Sequence, residues 1–316
     1  MERAVVDAWC RDAGVSFHAA ARSNGLGVRL GEIHPELAGR EPGEFLPEVP
    51  SGRVAVRHTV GLGDPLTDAE IPAGDRADDG LPQALADCVT AYGLRYFKIK
   101  LAGDADRDAA RLRDLAGLLD KLAPADYRCT LDGNENYREV GPFRALWEGL
   151  RDDAALAPFL GRVVAVEQPL HREVALHPDT LDALRAWDDR PPLIIDESDA
   201  TVAAARLALD GGYVGTSHKN CKGVIKGLAN AALVRHRATT PGPPADPLLT
   251  AEDLANVGPL ALTQDLAVVA ALGLEHVERN GHHYFPGLSV LPGSLQQAML
   301  RQHPDLYHPH DRDDAN

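Results

Sequence analysis

Charged side chains stand at the ends of five apolar runs. Lys98 and Lys100 close the first, Asp132 with Asn134 the second, and Glu167 the third. Asp196 with Glu197 closes the fourth, and His218-Lys219 the fifth. The key positions recur at roughly 23–35 residues, about the length of one strand with its crossover helix. Three carboxylates delivered to one place repel one another. They stay ionised together only with a cation, and an all-oxygen set suits Mg²⁺, with Mn²⁺ as a substitute. A lone carboxylate at a strand end ordinarily caps the next helix. Three in consecutive units, each behind an apolar run, go beyond capping.

Lys98 and Lys100 are two apart in an extended segment and share a face. Lys219 arrives four strand units later. Two lysines on opposite sides of a metal-bound carboxylic acid can each exchange a proton with one face of its α carbon. Lys98, a second cation beside Lys100, should lower the Lys100 pKa towards the working range. The metal would bind the substrate carboxylate and stabilise the enediolate left by proton removal.

The elements that must position these residues are read from periodicity. Runs rich in β-branched residues cover 54–60, 96–100, 127–132, 163–167, 193–196, 213–219, 247–250 and 274–278. Helical spacing covers 81–92, 104–122, 140–150, 181–187, 200–209, 226–237 and 260–272. Strand and helix alternate about eight times, which predicts an α/β chain folded as a (β/α)₈ TIM barrel. In such a barrel every strand end listed above converges on one face. An open doubly wound sheet would want a longer glycine-rich loop than Gly61-Leu62-Gly63. Residues 2–14 read as a helix with Val5, Ala8 and Trp9 on one face and Gly14 as its stop. Residues 23–51, rich in Gly, Pro and Glu, read as a connection. The organisation expected is therefore 1–52 ahead of the barrel, a barrel over 53–300, and a fraying tail over 301–316.

The 316 residues carry 47 acidic and 32 basic side chains, a formal charge of −15. So acidic a surface is a poor binder of nucleic acid. No apolar run reaches the length of a membrane span. Residues 1–11 carry charge throughout and lack the apolar stretch of a signal peptide, so the expected location is the cytoplasm. The four cysteines, Cys10, Cys88, Cys129 and Cys221, form no CxxC pair and read as structural. The expected partner is a small carboxylate substrate, with neither nucleic acid nor membrane; a homo-oligomer is compatible with all of this.

Taken together, KIK at 98–100, LDGN at 131–134, VEQP at 166–169, IDES at 195–198 and Lys219 resemble the enolase superfamily. More narrowly they resemble its muconate lactonizing enzyme branch, which also holds dipeptide epimerases, o-succinylbenzoate synthases and N-acylamino acid racemases. The mandelate racemase branch fits less well, because it uses a His–Asp base where Lys219 stands. The resemblance implies Asp132, Glu167 and Asp196 as metal ligands and Lys100 and Lys219 as the acid/base pair, with Lys98 beside Lys100. Asn134 and Glu197 would be their supporting partners. It implies racemisation or epimerisation, cycloisomerisation or dehydration through an enediolate.

Three departures accompany it. By the resemblance, the N-terminal capping domain of the family would be reduced here to a short remnant ending in the helix at 2–14. That leaves two other readings: a non-catalytic metal-binding barrel, or an inactive fragment of a longer enzyme. Lys222 follows Lys219 closely in SHKNCKG, and the two could exchange roles. The eighth strand ends in Glu278-Arg279-Asn280-Gly281-His282-His283, without the Asp-x-Asp by which dipeptide epimerases hold the substrate ammonium. His282 and His283 either reach substrate from the eighth loop or pack at the rim. Glu252 and Asp253 are either substrate-side residues or an ordinary helix start.

Overall fold

Side chains alternate along several strands between a buried polar set and a buried apolar set. On the second strand Lys98 and Lys100 face one way, while Phe97 and Ile99 join the apolar core on the other. Period-two alternation of this kind builds a sheet with a polar inside and an apolar outside. The protein, described here from a computed structural model, is defined over residues 1–309 except 243, 245, 254 and 255.

Eight parallel strands carry this pattern: β1 (Ala55–Val60), β2 (Tyr96–Lys100), β3 (Arg128–Asp132), β4 (Val163–Glu167), β5 (Leu193–Ile195), β6 (Gly215–His218), β7 (Leu248–Ala251) and β8 (His276–Glu278). They pair in the order β7-β6-β5-β4-β3-β2-β1-β8. The ring closes between the ends of β7 and β8, through a parallel bridge of Glu252 with Glu278 and the Asp253 N–H donating to the Glu278 carbonyl at 3.1 Å. The predicted (β/α)₈ barrel is thus the observed fold. The register places Lys100 opposite Asp132 and Asp132 opposite Glu167, so the charged strand ends lie at one level of the barrel.

Helices flank the strands on the outside. Ala105–Leu122 starts on Asp104, whose side chain accepts from the Arg107 N–H, and buries Leu112, Leu115 and Leu119 in the core cluster that holds Phe97, Ile99 and Leu131. The apolar shell falls into two clusters. One covers β1 to β5, and the other joins the later strands and their helices to the N-terminal segment.

That segment is more than a connection. Phe17–Arg22, Leu30–Ile33 and two 3₁₀ turns hold Leu30, Leu37 and Leu46 in the second core. The reason is a set of anchors that local reading does not register. The His34 ring hydrogen-bonds Asn230 at 3.0 Å, and Arg237 forks onto Glu36. The first helix, Glu2–Ala13, ends as expected at a left-handed Gly14 (φ 66°). Its packing face differs from the expected one: Cys10 is buried, whereas Val5 is 63% and Trp9 40% exposed. Glu2 sets this rotation by accepting the Val224 and Ile225 N–H groups at the start of helix Val224–Thr239. At the other end, helix Gly293–Gln302 precedes the tail, of which 310–316 lie outside the described residues.

Candidate active site

The barrel interior is a network of acids and lysines. Lys98 is 1% exposed, and its Nζ lies 2.5 Å from Glu278, 2.9 Å from Asp132, 3.0 Å from Glu167 and 3.7 Å from Glu252. Lys100 Nζ sits 2.6 Å from Asp132. Lys219 bridges Asp196 at 2.9 Å and Glu252 at 2.5 Å. Lys222 takes the other Asp196 oxygen at 2.6 Å, together with the Asp196 and Ser217 carbonyls. In an eight-stranded ring, β2 and the end of β6 stand on opposite sides. Lys100 and Lys219 therefore approach the carboxylates from opposite flanks.

Burial and charge work against each other here. Burial would lower the Lys98 and Lys219 pKa values, but their carboxylate neighbours outweigh it and hold both above the ordinary lysine value. Lys98 is thus a fixed cation tied to several acids. Burial would raise the Asp196 carboxyl, yet Lys222, Lys219 and Lys98 bring it down to about 2. Asp132 is likewise lowered against burial, by Lys98 and Lys100. Glu167, fully buried, goes the other way: burial, helped by Asp132, Asp196 and Glu278, outweighs Lys98 and pushes it to about 7. Glu252 and Glu197 are also raised, first by burial and next by Glu278 and Asp196 respectively.

Glu167, Asp196 and Glu252 each offer an oxygen within 4.8 Å of the other two. Glu167 Oε2 is buried without a hydrogen-bond partner among the described residues, an acceptor left open on the side away from Lys98 Nζ's contact with Oε1. Oxygen donors alone, with one lone pair unclaimed, fit a hard dication such as Mg²⁺. Asp132 stands beside this trio. Its Oδ2 is held by Lys98 and Lys100, and its Oδ1 accepts the Asn134 N–H at 2.9 Å. Asn134 itself has φ 42°, and Glu135 beside it φ 63°.

Several contributors have no counterpart in the strand-end reading. Gln168 is completely buried with φ 37°. Its Oε1 accepts the Asp196 and Ser198 N–H groups, and its Nε2 donates to Ser198 Oγ and the Leu170 carbonyl. One amide thereby locks the end of β4 to the loop that carries Asp196. Gly133 lets the β3 and β4 ends touch, since a Cβ there would lie 2.5 Å from Pro169 Cα. Glu278 accepts from Thr59 Oγ1 at 2.8 Å and from Lys98. It too ends an apolar run, and that signal was present in the sequence. His282 and His283 turn away from this centre and gather with His58 on the outer face of β1.

No protein-family model matches the chain, and no curated protein does. Solved structures do match. A mandelate racemase/muconate lactonizing enzyme from Roseiflexus sp. superposes with a TM-score of 0.51 at 23% identity, over 71% of this chain and 55% of that one. A dipeptide epimerase from Methylococcus capsulatus, complexed with Mg and the dipeptide L-Arg-D-Lys, gives 0.51 at 20% identity, over 73% and 55%. A putative mandelate racemase from Mesorhizobium loti gives 0.51 at 18% identity, over 88% and 57%. The chain shares its fold with these enzymes. This chain spans a little over half the length of each.

Proposed function

We propose that the chain is an enolase-superfamily enzyme that removes the proton α to a carboxylate with the help of Mg²⁺. Its products would be those of racemisation or epimerisation, cycloisomerisation, or loss of water from a small carboxylic acid. The observation that carries this reading is the cluster of Glu167, Asp196 and Glu252, flanked by Lys100 on one side and Lys219 on the other. Glu167 and Asp196 would hold the cation, with Asp132 and Glu252 as the adjoining carboxylates. Bound there, Mg²⁺ supplies a Lewis acid for the substrate carboxylate and for the charge that develops on proton removal.

The chain's own residues do the rest. Lys98 keeps Asp132, Glu167 and Glu278 at fixed spacing. Lys219 shares Asp196 and Glu252, whose charges hold its pKa above the ordinary lysine value. Once they are engaged elsewhere, the ammonium can deliver a proton to one face of the carbon. Lys100, on the opposite flank, takes or returns the proton at the other face. Gln168 keeps Asp196 in place throughout.

Loss of α-proton signal in D₂O tests the scheme, read by NMR over a panel of N-acylamino acids, dipeptides and hydroxy acids with Mg²⁺. Wild type should exchange both stereoisomers of a substrate. Lys100→Ala and Lys219→Ala should each lose exchange from one isomer only. Full exchange of both isomers by either variant rules out the two-base scheme.

A second reading, a binding barrel without chemistry, draws on Lys219 and Lys222 both occupying Asp196. It predicts no exchange with any acid even where Mg²⁺ raises the melting temperature.

A further inference from the structure

The outward face of β1 carries a second cluster of ligand-type side chains. His58 lies between Arg57 and Thr59, which point into the barrel, so its ring points to the helical layer. There it meets Cys88 from helix Leu85–Tyr92 and His283 from the loop after β8. One ligand atom of each lies within 4.8 Å of the other two. All three are nearly sealed from solvent: His58 is 3%, Cys88 1% and His283 7% exposed. His283 Nδ1 is buried with no hydrogen-bond partner, and Cys88 Sγ has only a long contact of 3.6 Å to the Pro82 carbonyl. The His282 ring stands over the group, with its Nε2 2.9 Å from His58 Nδ1.

Ordinary packing explains this arrangement poorly. An apolar pocket behind a strand is normally filled by aliphatic side chains, and three imidazoles there carry polar atoms that need partners. Two imidazoles and a thiol are instead a borderline-soft donor set, quite unlike the oxygen set inside the barrel. We propose that His58, Cys88 and His283 form a zinc site, separate from the carboxylate centre, with His282 orienting His58 through its Nδ1. Such outer partners set the tautomer and direction of a ligating imidazole. Three protein ligands leave one tetrahedral position open. The cluster borders a cavity of about 570 Å³ that both His58 and His283 line, with Asp64 and Glu70 also on its wall.

Zinc binding would release the Cys88 thiol proton to solvent as the sulfur–zinc bond forms. The ion would join β1 and the first barrel helix to the loop beyond β8, which is distant in sequence and reaches them through the pairing of β8 with β1.

Cobalt substitution tests the site. The full chain, stripped with chelator, is titrated with Co²⁺ and watched for the near-ultraviolet thiolate-to-cobalt band. Oxygen ligands inside the barrel cannot produce that band. It should appear at one equivalent in wild type, persist in Cys221→Ser, which removes the exposed thiol near the barrel mouth, and vanish in Cys88→Ser. Bound zinc measured by elemental analysis should fall from one ion per chain to near zero in His283→Ala. No band in wild type, a band that survives Cys88→Ser, or a band lost in Cys221→Ser overturns the proposal.

Discussion

Lys98 is the residue on which most of the interior charge turns. From spacing it was expected to act by lowering the Lys100 pKa. In the structure it is buried among Asp132, Glu167 and Glu278 and acts chiefly as their counter-ion. Removing one partner of a buried ion cluster leaves uncompensated charge and typically costs about 3–5 kcal/mol. Lys98→Met should therefore lower the denaturation midpoint by that order. Lys100→Met should cost much less, because Lys100 is partly open to water. Equal losses from the two substitutions would contradict the counter-ion role. The metal assignment is tested at the same scale. Mg²⁺ should raise the melting temperature of wild type by linkage, and Asp196→Asn should abolish the rise. Comparing Asp132→Asn with Glu252→Gln then reports which neighbouring carboxylate completes the set.

At the scale of elements, strand alternation accounts for the site and close packing accounts for its precision. His218, between the inward Ser217 and Lys219, points out into helix Val224–Thr239. It fits only because the helix carries Gly227: a Cβ there would sit 2.3 Å from the His218 ring. Helix propensity alone predicts that Gly227→Ala stabilises by about 1 kcal/mol. Overpacking against a buried ring should reverse the sign and cost about 1–3 kcal/mol. Because Lys219 follows His218 directly, the same substitution should also impair α-proton exchange. A stabilised Gly227→Ala variant with full exchange would show that the His218 ring has room to move.

Across the whole molecule, the N-terminal segment is tied to the barrel by a buried polar chain. His34 bonds Asn230, Asn230 donates to Asp199, and Asp199 accepts from Thr216 and pairs with Lys226. Burial lowers the His34 pKa and, together with Lys222 and Lys226, brings His218 down to about 4. Both histidines are therefore neutral when folded, whereas the unfolded chain protonates them near pH 6.5. Stability from this source is complete above about pH 6.5 and is lost as the pH falls towards 4. For His218 alone the full loss is about 3 kcal/mol. Urea midpoints at pH 8 and pH 5 check the sign: wild type should fall steeply and His218→Gln less so. Parallel declines would remove His218 as a source.

The sequence by itself determined the barrel, the order of its strands, and the lysines and carboxylates at their ends. Alternation along a strand and the length of a βα unit are local properties, legible in a single chain. That is why Lys100, Asp132, Glu167, Asp196 and Lys219 could be singled out from spacing and a resemblance in short motifs. Only the tertiary structure decided what depends on ring closure and on loop paths. The meeting of β7 and β8 brings Glu252 and Glu278 into the interior charge network, and no spacing rule encodes that meeting. The turn after β8 carries His282 and His283 behind β1 to His58 and Cys88, although the four are scattered over more than two hundred residues. Residues 23–51 look like a linker because their turns are rich in glycine and proline. Their burial comes from contacts with helices some two hundred positions away, which local composition cannot express.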